Sequence, residues 1–548
     1  MPSCLTRWKV SSRGRRLQQS GFVLGRQQGC GLQKHARRCI CWATLVEVLA
    51  FALAVRPCWP QQPSDNTQRA WGQVRLESSD RHLLAGFNWA KQQALEYVHT
   101  SDPVGNWYDA ALPGRGFCMR DVSHQCLGAQ VLGLAEFNRN MLHRFAESIA
   151  ESRDWCGFWE IGKDGKPPLT DYRNDQDFWY NLPGNFAVVD AAYQVYQWTG
   201  DRTYIEDPAF LNFYQRTLND YIQKWDRGGD GIPESNPRYG DRGLGSFDEN
   251  PSLHIKIGCD LVSNEYAAYI AYARIQELRG NAAEARRLLA KAEVLRQRFN
   301  QNWWNPTWQV YNSMMLSDGR MYFETSSSFF PLWSGLIPPG DRAEHQLDLV
   351  THLPSPGVFL QAERDERDAR QSEEDLRPRL PLPGVEEMSY IPEIAYRYGR
   401  DERGYTILLA LTDPHQMRRE YPEIAFTVIR TVAVGLMGVA PEASSRSVKT
   451  RSHLSSETAW ATLENIPVFE GRITLSHVGL TQTTLFNHEN EAIKWQATFA
   501  GRHPRLLLDG TPQPAEVEAG PSGRPESRIW VHVAAGEKRV VRVANEDK

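Results

Sequence analysis

Of the nine cysteines in 548 residues, five fall within the first 60, which leaves Cys118, Cys126, Cys156 and Cys259 for everything that follows. Four thiols spread so thinly do not make a disulfide scaffold, and no Cys-x-x-Cys pair offers zinc ligation or redox work. HExxH, GxSxG, GK[ST] and GxGxxG are missing too, so zinc peptidase, α/β-hydrolase, phosphate-loop and dinucleotide readings have no local signature. No short Val/Ile runs separate the helical stretches, which removes a βαβ parallel sheet. The longest apolar run, Cys39 to Val55, contains Glu47 and is too short for an ordinary membrane span. Residues 1 to 60 hold ten Lys/Arg and one acidic residue, so a net charge of -4 leaves the remainder with an excess of 13 negative charges. Such a body is a poor partner for nucleic acid, whose binding is driven by phosphate neutralisation.

With 41% hydrophobic and 23% charged residues the chain has the balance of a globular protein. Arg37-Arg38, then "CICWATLVEVLAFALAV", then "RPCWPQQPSDN" follow the charged, apolar, polar order of an export signal. Residues 1–60 are therefore expected to be absent from a mature, exported protein whose body does not insert stably in a membrane, with 61–78 as linker; a chain on which this segment does not act as a signal would stay in the cytoplasm.

From Ser79 to about 445 the apolar residues recur three and four apart. "DRHLLAGFNWAKQQALEYV", "LPGNFAVVDAAYQVYQWTG", "CDLVSNEYAAYIAYARIQELRG" and "PEIAFTVIRTVAVGLMGV" are among nine clear helical stretches, with weaker ones near Thr325 to Ser334 and Glu344 to Val350. Eleven to twelve helices with no strand pattern between them allow an open solenoid or a closed ring of hairpins. Unequal connections argue against a fixed repeat and favour the ring. The stretch "QAERDERDARQSEEDLRPRLPLPG" (361–384) reads as a solvated insertion. Residues 446–466 form a connection. From 467 to 548 "GRITLSHVG", "AIKWQATFAG" and "RIWVHVAAG" alternate with period two, as in an antiparallel β domain.

Three places concentrate polar and aromatic residues beyond what a helix connection needs. In "WYDAALPGRGFCMRDVSH", Arg120 and Asp121 stand where a helix begins; Asp121 caps it or, with Arg120 and the nearby rings, meets a hydroxylated ligand. In "DYRNDQDFWYNLPGN", Asp177, Trp179 and Tyr180 offer the directed polar groups and flat rings that a sugar requires, or a hydrated turn. "DGIPESNPRYGDRGLGSFDENP" carries Asp230, Glu234, Asp248 and Glu249 in a long non-periodic loop, and loops of this length in compact domains are functional or disordered. Sugar hydrolysis needs a protonated carboxylic acid and a facing carboxylate. Glu249, or its neighbour Asp248, is the candidate acid. For the facing base the late candidates are Glu386, Glu387, Glu423, Glu457 and Glu464. Glu423 resembles a first-turn helix residue, and Glu457, near Trp460 in "HLSSETAWATLENIP", is preferred.

On "GRGFCMRD", "NDQDFWYNLPGN", the DGIP loop and the terminal β domain, residues 80 to 545 resemble the six-hairpin, (α/α)6-barrel glycosidases, in motif style the rhamnosidase-like and glucosylceramidase-like members. The resemblance implies an α-helical (α/α)6 barrel with a C-terminal β domain, and an inverting, exo-acting glycoside hydrolase without metal or cofactor whose partner is a carbohydrate. It implies a general acid near Ser246-Phe247-Asp248-Glu249 and a base at Glu457 beside Trp460, with Glu234, Asp177, Asp121, Arg120, Trp179, Tyr180, Asp230 and Trp460 around the sugar. The large β domains that precede the rhamnosidase-like barrel are absent, as is their late Trp-Glu dipeptide, since Ala461 follows Trp460. A polysaccharide lyase, a sugar isomerase and a sugar-binding barrel without activity are the alternatives on such a frame.

Overall fold

The computed structural model describes residues 71–236, 243–248, 253–325, 327–351, 385–416 and 418–544. The basic leader, Glu249 and the charge run 361–384 lie outside the described residues.

Buried sequence stretches and amphipathic ones alternate along the helical region. The helices are α1 (Arg81–Glu96), α2 (Met119–Val131), α3 (Ala135–Glu147), α4 (Leu182–Thr199), α5 (Pro208–Arg216, continuing to Trp225), α6 (Cys259–Leu278) and α7 (Ala282–Asn302). After them come α8 (Asp341–Thr351), α9 (Ile391–Arg397), α10 (Asp401–Thr412) and α11 (Pro422–Arg430, continuing through a π-helical turn to Leu436). Every residue of α2 and of Pro422–Arg430 is buried. Both lie wholly inside, α2 even with Arg120, Asp121, Gln125 and Gln130 on it, whereas α3 and α7 bury one stripe and face solvent with the other. The inner helices touch in series: α11 on α2, α2 on α4, α4 on α6, α6 on the turn Phe330–Trp333, and α9 on the end of α11. Helices α1, α3, α7 and α10 back onto α11, α2, α6 and α9 respectively. At Gly128 the approach is so close that an added Cβ would lie 2.0 Å from the Phe426 carbonyl oxygen of α11. Local chemistry sets the ends: Asp80 and Asp207 accept the free N–H groups that open α1 and α5, and Gly200, at φ 70°, closes α4.

Three features depart from the sequence reading. Short antiparallel strand pairs stand between the helices where no strands are expected, such as Val98–Asp102 with Gly105–Tyr108 and Ile255–Gly258 with Met314–Leu316. At two to five residues they are too short to show a period of two. Helix α10 escapes the periodicity, because Ile407, Leu408, Leu409, Ala410 and Leu411 follow one another without the three-and-four spacing of an amphipathic helix. The β region begins at Ala440 rather than 467, and the supposed linker contributes Arg75–Ser78, paired antiparallel with Trp460–Val468.

That β region holds two sheets. With β1 (Arg75–Ser78), β2 (Ala440–Glu442), β3 (Ser447–Arg451), β4 (Trp460–Val468), β5 (Gly471–Val478), β6 (Gln482–Asn487), β7 (Ile493–Ala500), β8 (Arg505–Leu508), β9 (Thr511–Pro514), β10 (Glu516–Ala519), β11 (Pro525–Val533) and β12 (Lys538–Val543), the orders are β1-β4-β5-β6-β12-β8-β9 and β2-β3-β7-β11-β10. All pairings are antiparallel except β3 with β7. Inward positions such as Leu463, Ile473, Leu485 and Trp495 form the core between alternating polar residues. No helix among the described residues is long and apolar enough to cross a membrane.

Candidate active site

The inner helices begin with acidic residues: Asp121 in the first turn of α2, Asp260 in that of α6 and Glu423 in that of α11, with Glu386 and Glu387 in the short turn Val385–Met388. A carboxylate at a helix N-terminus is ordinarily a stabilising surface feature. In this fold Asp121 and Glu423 are almost fully buried, and the ligand-capable atoms of Asp121, Glu386 and Glu423 lie within 4.8 Å of one another. The Arg120 guanidinium threads this group. Its Nε is 3.6 Å from Asp121 Oδ2, one terminal nitrogen is 3.4 Å from Glu386 Oε1, and the other donates to the Phe247 carbonyl at 3.3 Å. Trp159 and Phe247 supply ring faces to the same guanidinium. Arg418 reaches Glu386 from outside at 3.6 Å, and the Tyr421 hydroxyl donates to Asp121 at 2.8 Å.

Among the described residues, Arg120 and Arg418 face this group of carboxyls, and their protonation reflects the crowding. Burial is the main cause in each case. It raises Asp121 above the usual carboxylate range, with Glu386 adding to the rise and Arg120 and Tyr421 opposing it. It raises Glu423 well above that range, reinforced by Asp121 and Glu386. It pushes Glu387 up to about 7, with Glu386 beside it. The three carboxylates have a spacing that suits a divalent cation, although the Arg120 guanidinium already lies against two of them.

Beneath this cluster lies His124, one turn further along α2. Its Nδ1 faces Glu423 Oε1 at 2.9 Å and the Tyr390 hydroxyl at 2.7 Å. Burial, followed by Arg120 and Arg430, holds the imidazole well below its ordinary pKa, so it is neutral. Phe247, Phe330, Trp333 and Tyr390 surround it with centroids 5.0 to 5.9 Å away. Asp260 fixes the approach of the loop: it accepts from Ser246 Oγ and from the Phe247 N–H, both at 2.7 Å, and burial raises it to about 6.

The candidates from sequence divide between this centre and elsewhere. Arg120 and Asp121 are in it. Asp121 does not cap α2, since its side chain meets Tyr421 and Arg120. Asp248, half-buried, follows Phe247 at the border of the cluster, and Glu249 is outside the described residues. Glu234 is buried against Lys256 at 2.9 Å, and Asp230 is an exposed turn residue whose side chain accepts from Ile232 N–H. Asp177 pairs with Arg173 across a short hairpin. Tyr180 is a core ring on Trp225, with its hydroxyl accepting from Asn236 N–H. Trp179 is half-buried in a narrow cleft with Phe158, Trp159 and Tyr172. Glu457 is exposed on a turn beside Tyr405, and Trp460 is an exposed member of β4 opposite Val478. The cluster thus gathers Glu386, Glu387 and Glu423 rather than Glu457. The signal that marks them is an acidic residue within the first turn of a helix, in "MRD", "EEM" and "YPE". Tyr390, Tyr421 and Asp260 have no role in the sequence reading.

No family model matches the chain, and no curated protein matches it in sequence. Solved structures do. It is similar to an α-L-rhamnosidase from Dictyoglumus thermophilum, at 13% identity and a TM-score of 0.54, over 86% of this chain and 50% of that one. It is also similar to a sialidase, at 12% identity and a TM-score of 0.52, over 86% of this chain and 42% of that one. The chain therefore spans half or less of the length of these structures. At such identities the likeness is one of fold: the chain shares the fold of rhamnosidase-type glycosidases, as its motifs implied.

Proposed function

We propose that the inner and outer helices close as a six-hairpin (α/α)6 toroid and that the protein is a glycoside hydrolase working at the mouth of that ring. The observation that carries the reading is Glu387, a half-buried carboxyl pushed up to about 7 by burial and by Glu386, beside an arginine-threaded acidic cluster. A general acid must hold its proton near the working pH and still meet the substrate, and Glu387 combines both properties. Asp121 and Glu423 are engaged by the Tyr421 hydroxyl and by His124 respectively, which leaves Glu387 as the acid.

In this mechanism Glu387 protonates the glycosidic oxygen as it departs. Arg120 links the turn carrying Glu386 and Glu387 to the segment carrying Phe247 and Asp248, so the two carboxyl-bearing segments meet at the guanidinium. Asp248 takes the proton of the attacking water. Carboxylates on separate elements with water between them give inversion at the anomeric carbon. Arg120 and Asp121 bind sugar hydroxyls. The base moves from Glu457 to Asp248 because Glu457 is solvent-exposed on its turn beside Tyr405. Cleavage is assigned to a chain terminus, with the loops at the ring mouth forming pocket walls.

Aryl α-L-rhamnosides, aryl β-D-glucosides and sialosides form the first substrate panel, two of them following the structures that share the fold. Glu387→Gln should lower kcat/KM about 100- to 10,000-fold on glycosides with poor leaving groups and much less on activated aryl glycosides. Proton NMR of the first product should show the inverted anomer. Equal losses on both leaving-group classes would remove Glu387 as the acid, and a retained anomer would remove the inverting course.

A further inference from the structure

Imidazole Nε2 of His124 is fully buried and meets no hydrogen-bonding group among the described residues. Leaving such an atom unpaired costs about 1–3 kcal/mol, and a buried polar group without a partner requires an explanation. The other ring nitrogen is already committed to Glu423 and Tyr390. Simple core packing would be met by an apolar side chain, as at the neighbouring Val122 and Cys126, which are equally buried.

We propose that His124 is a binding residue for the sugar ring, its Nε2 donating a hydrogen bond to a hydroxyl oxygen of the ligand. This rests on the glycosidase reading of the same site. The tautomer follows from the neighbours. With Nδ1 accepting from the Tyr390 hydroxyl at 2.7 Å the ring proton resides on Nε2, and the raised carboxyl of Glu423, 2.9 Å from the same nitrogen, favours that tautomer. A neutral donor suits a hydroxyl and offers nothing special to an anion. Phe247, Phe330 and Trp333 pack around the imidazole, and Trp333, half-exposed, borders solvent on the side from which a pyranose ring approaches. Glu423 and Tyr390 then act as positioning residues that hold the imidazole in register, while Arg120 approaches from the acidic side.

Two substitutions separate a ligand contact from a purely structural role. In His124→Asn the side-chain amide can replace Nδ1 and keep Glu423 and Tyr390 engaged, but nothing replaces Nε2. In His124→Gln the longer amide can reach the Nε2 position and loses the Nδ1 contacts. The expected result is a kcat/KM about 10- to 100-fold lower for His124→Asn, carried mostly by KM, and a smaller loss for His124→Gln. A structural role gives the reverse order and overturns the proposal. A second measurement does not depend on turnover. Nitrogen-15 spectra of the wild-type histidines, recorded with free L-rhamnose, D-glucose and N-acetylneuraminic acid at high concentration, should show the His124 Nε2 resonance move with one sugar while Nδ1 stays. If no glycoside of the panel is cleaved, the catalytic reading fails and this spectrum alone decides. A shifted Nε2 keeps His124 as a sugar contact, and an unmoved one removes it.

Discussion

The loop from Asp226 to Asn236 and the mouth formed by the first turns of α2 and α11 are both rich in carboxylates, and they treat them in opposite ways. In the loop each acid finds donors close by. Asp226 accepts from the N–H groups of Gly229, Asp230 and Gly231, Asp230 accepts from Ile232, and Glu234 faces the Lys256 ammonium. These contacts bend and fasten a chain segment. At the mouth, Asp121, Glu386, Glu387 and Glu423 crowd around two arginines, and burial raises three of the four. Acidic density alone is therefore a poor guide to chemistry. What distinguishes a reactive group is a shortage of donors in a place that water does not reach.

A half-buried glutamate one helix away sharpens the contrast. Glu393 on α9 receives both a 2.6 Å and a 3.0 Å hydrogen bond from the Arg430 guanidinium, and although burial pushes its carboxyl up, Arg430 more than offsets this and leaves it below the usual range. Glu423, in the first turn of the helix that carries Arg430, lacks such a partner. Arg430→Met should therefore remove the chief counter-charge of the half-buried Glu393, leaving it the Trp333 indole N–H, and lower unfolding free energy by about 2–3 kcal/mol, a larger loss of stability than any substitution among the acids of the mouth or the loop should cause. Pairing it with Glu393→Leu should recover much of that loss. Denaturant unfolding of the two variants measures both, and a mild phenotype for Arg430→Met would mean that Glu393 and Glu423 are not so different.

The raised carboxyls also set a pH signature. A group whose folded pKa lies above its unfolded value keeps its proton longer in the folded state. Folding is then favoured most below the unfolded pKa of about 4.5, and the advantage is lost as pH rises toward the folded value. For Glu387 the window runs from 4.5 to about 7. Stability should fall across that interval, and Glu387→Gln should remove about 2 kcal/mol of the fall after allowance for solvent screening of a half-buried group. Part of the slope should persist, because Asp121 and Glu423 are shifted in the same direction. Unfolding measured across the window in wild type and variant tests this, and identical slopes would mean that Glu387 titrates as an ordinary surface acid.

How far the sequence disclosed all this depended on the range of the interactions. The long helices, their aromatic content and the change to β structure were legible because periodicity is local: α1, α4, α6 and α7 begin and end close to where their apolar pattern and their Gly or Asp residues place them. Arg120 and Asp121 were legible as candidates because a charged pair interrupts an otherwise apolar stretch. The assembly of the site was not. Asp121 and Glu423 are 302 positions apart, and only the packing of α11 on α2, with backbones close enough to demand Gly128, brings them together. Glu423 was legible as a first-turn helix residue, but a first-turn acid is ordinarily a surface feature, and its burial depends on that long-range packing. The single strand at Arg75–Ser78 was hidden for the same reason, since its partner β4 lies at the far end of the chain.

The smallest effect tests the loop itself. Glu234 is buried, but its partner Lys256 is 31% exposed and can regain water if the carboxylate is lost. The segment is anchored independently, by Glu234 N–H to Trp225 and by Ser235 to Lys256 through the backbone and to Ile255 through its hydroxyl. Glu234→Gln keeps the shape and one hydrogen-bond acceptor, so it should cost about 1 kcal/mol or less in stability. If the loop only shapes the approach to the mouth, kcat/KM on the best glycoside should change by no more than about twofold, within the range of an exposed ion pair. A loss comparable to that of Glu387→Gln would place Glu234 among the groups that touch substrate. The division between fastening acids and reactive acids would then have to be redrawn with the DGIP loop on the reactive side.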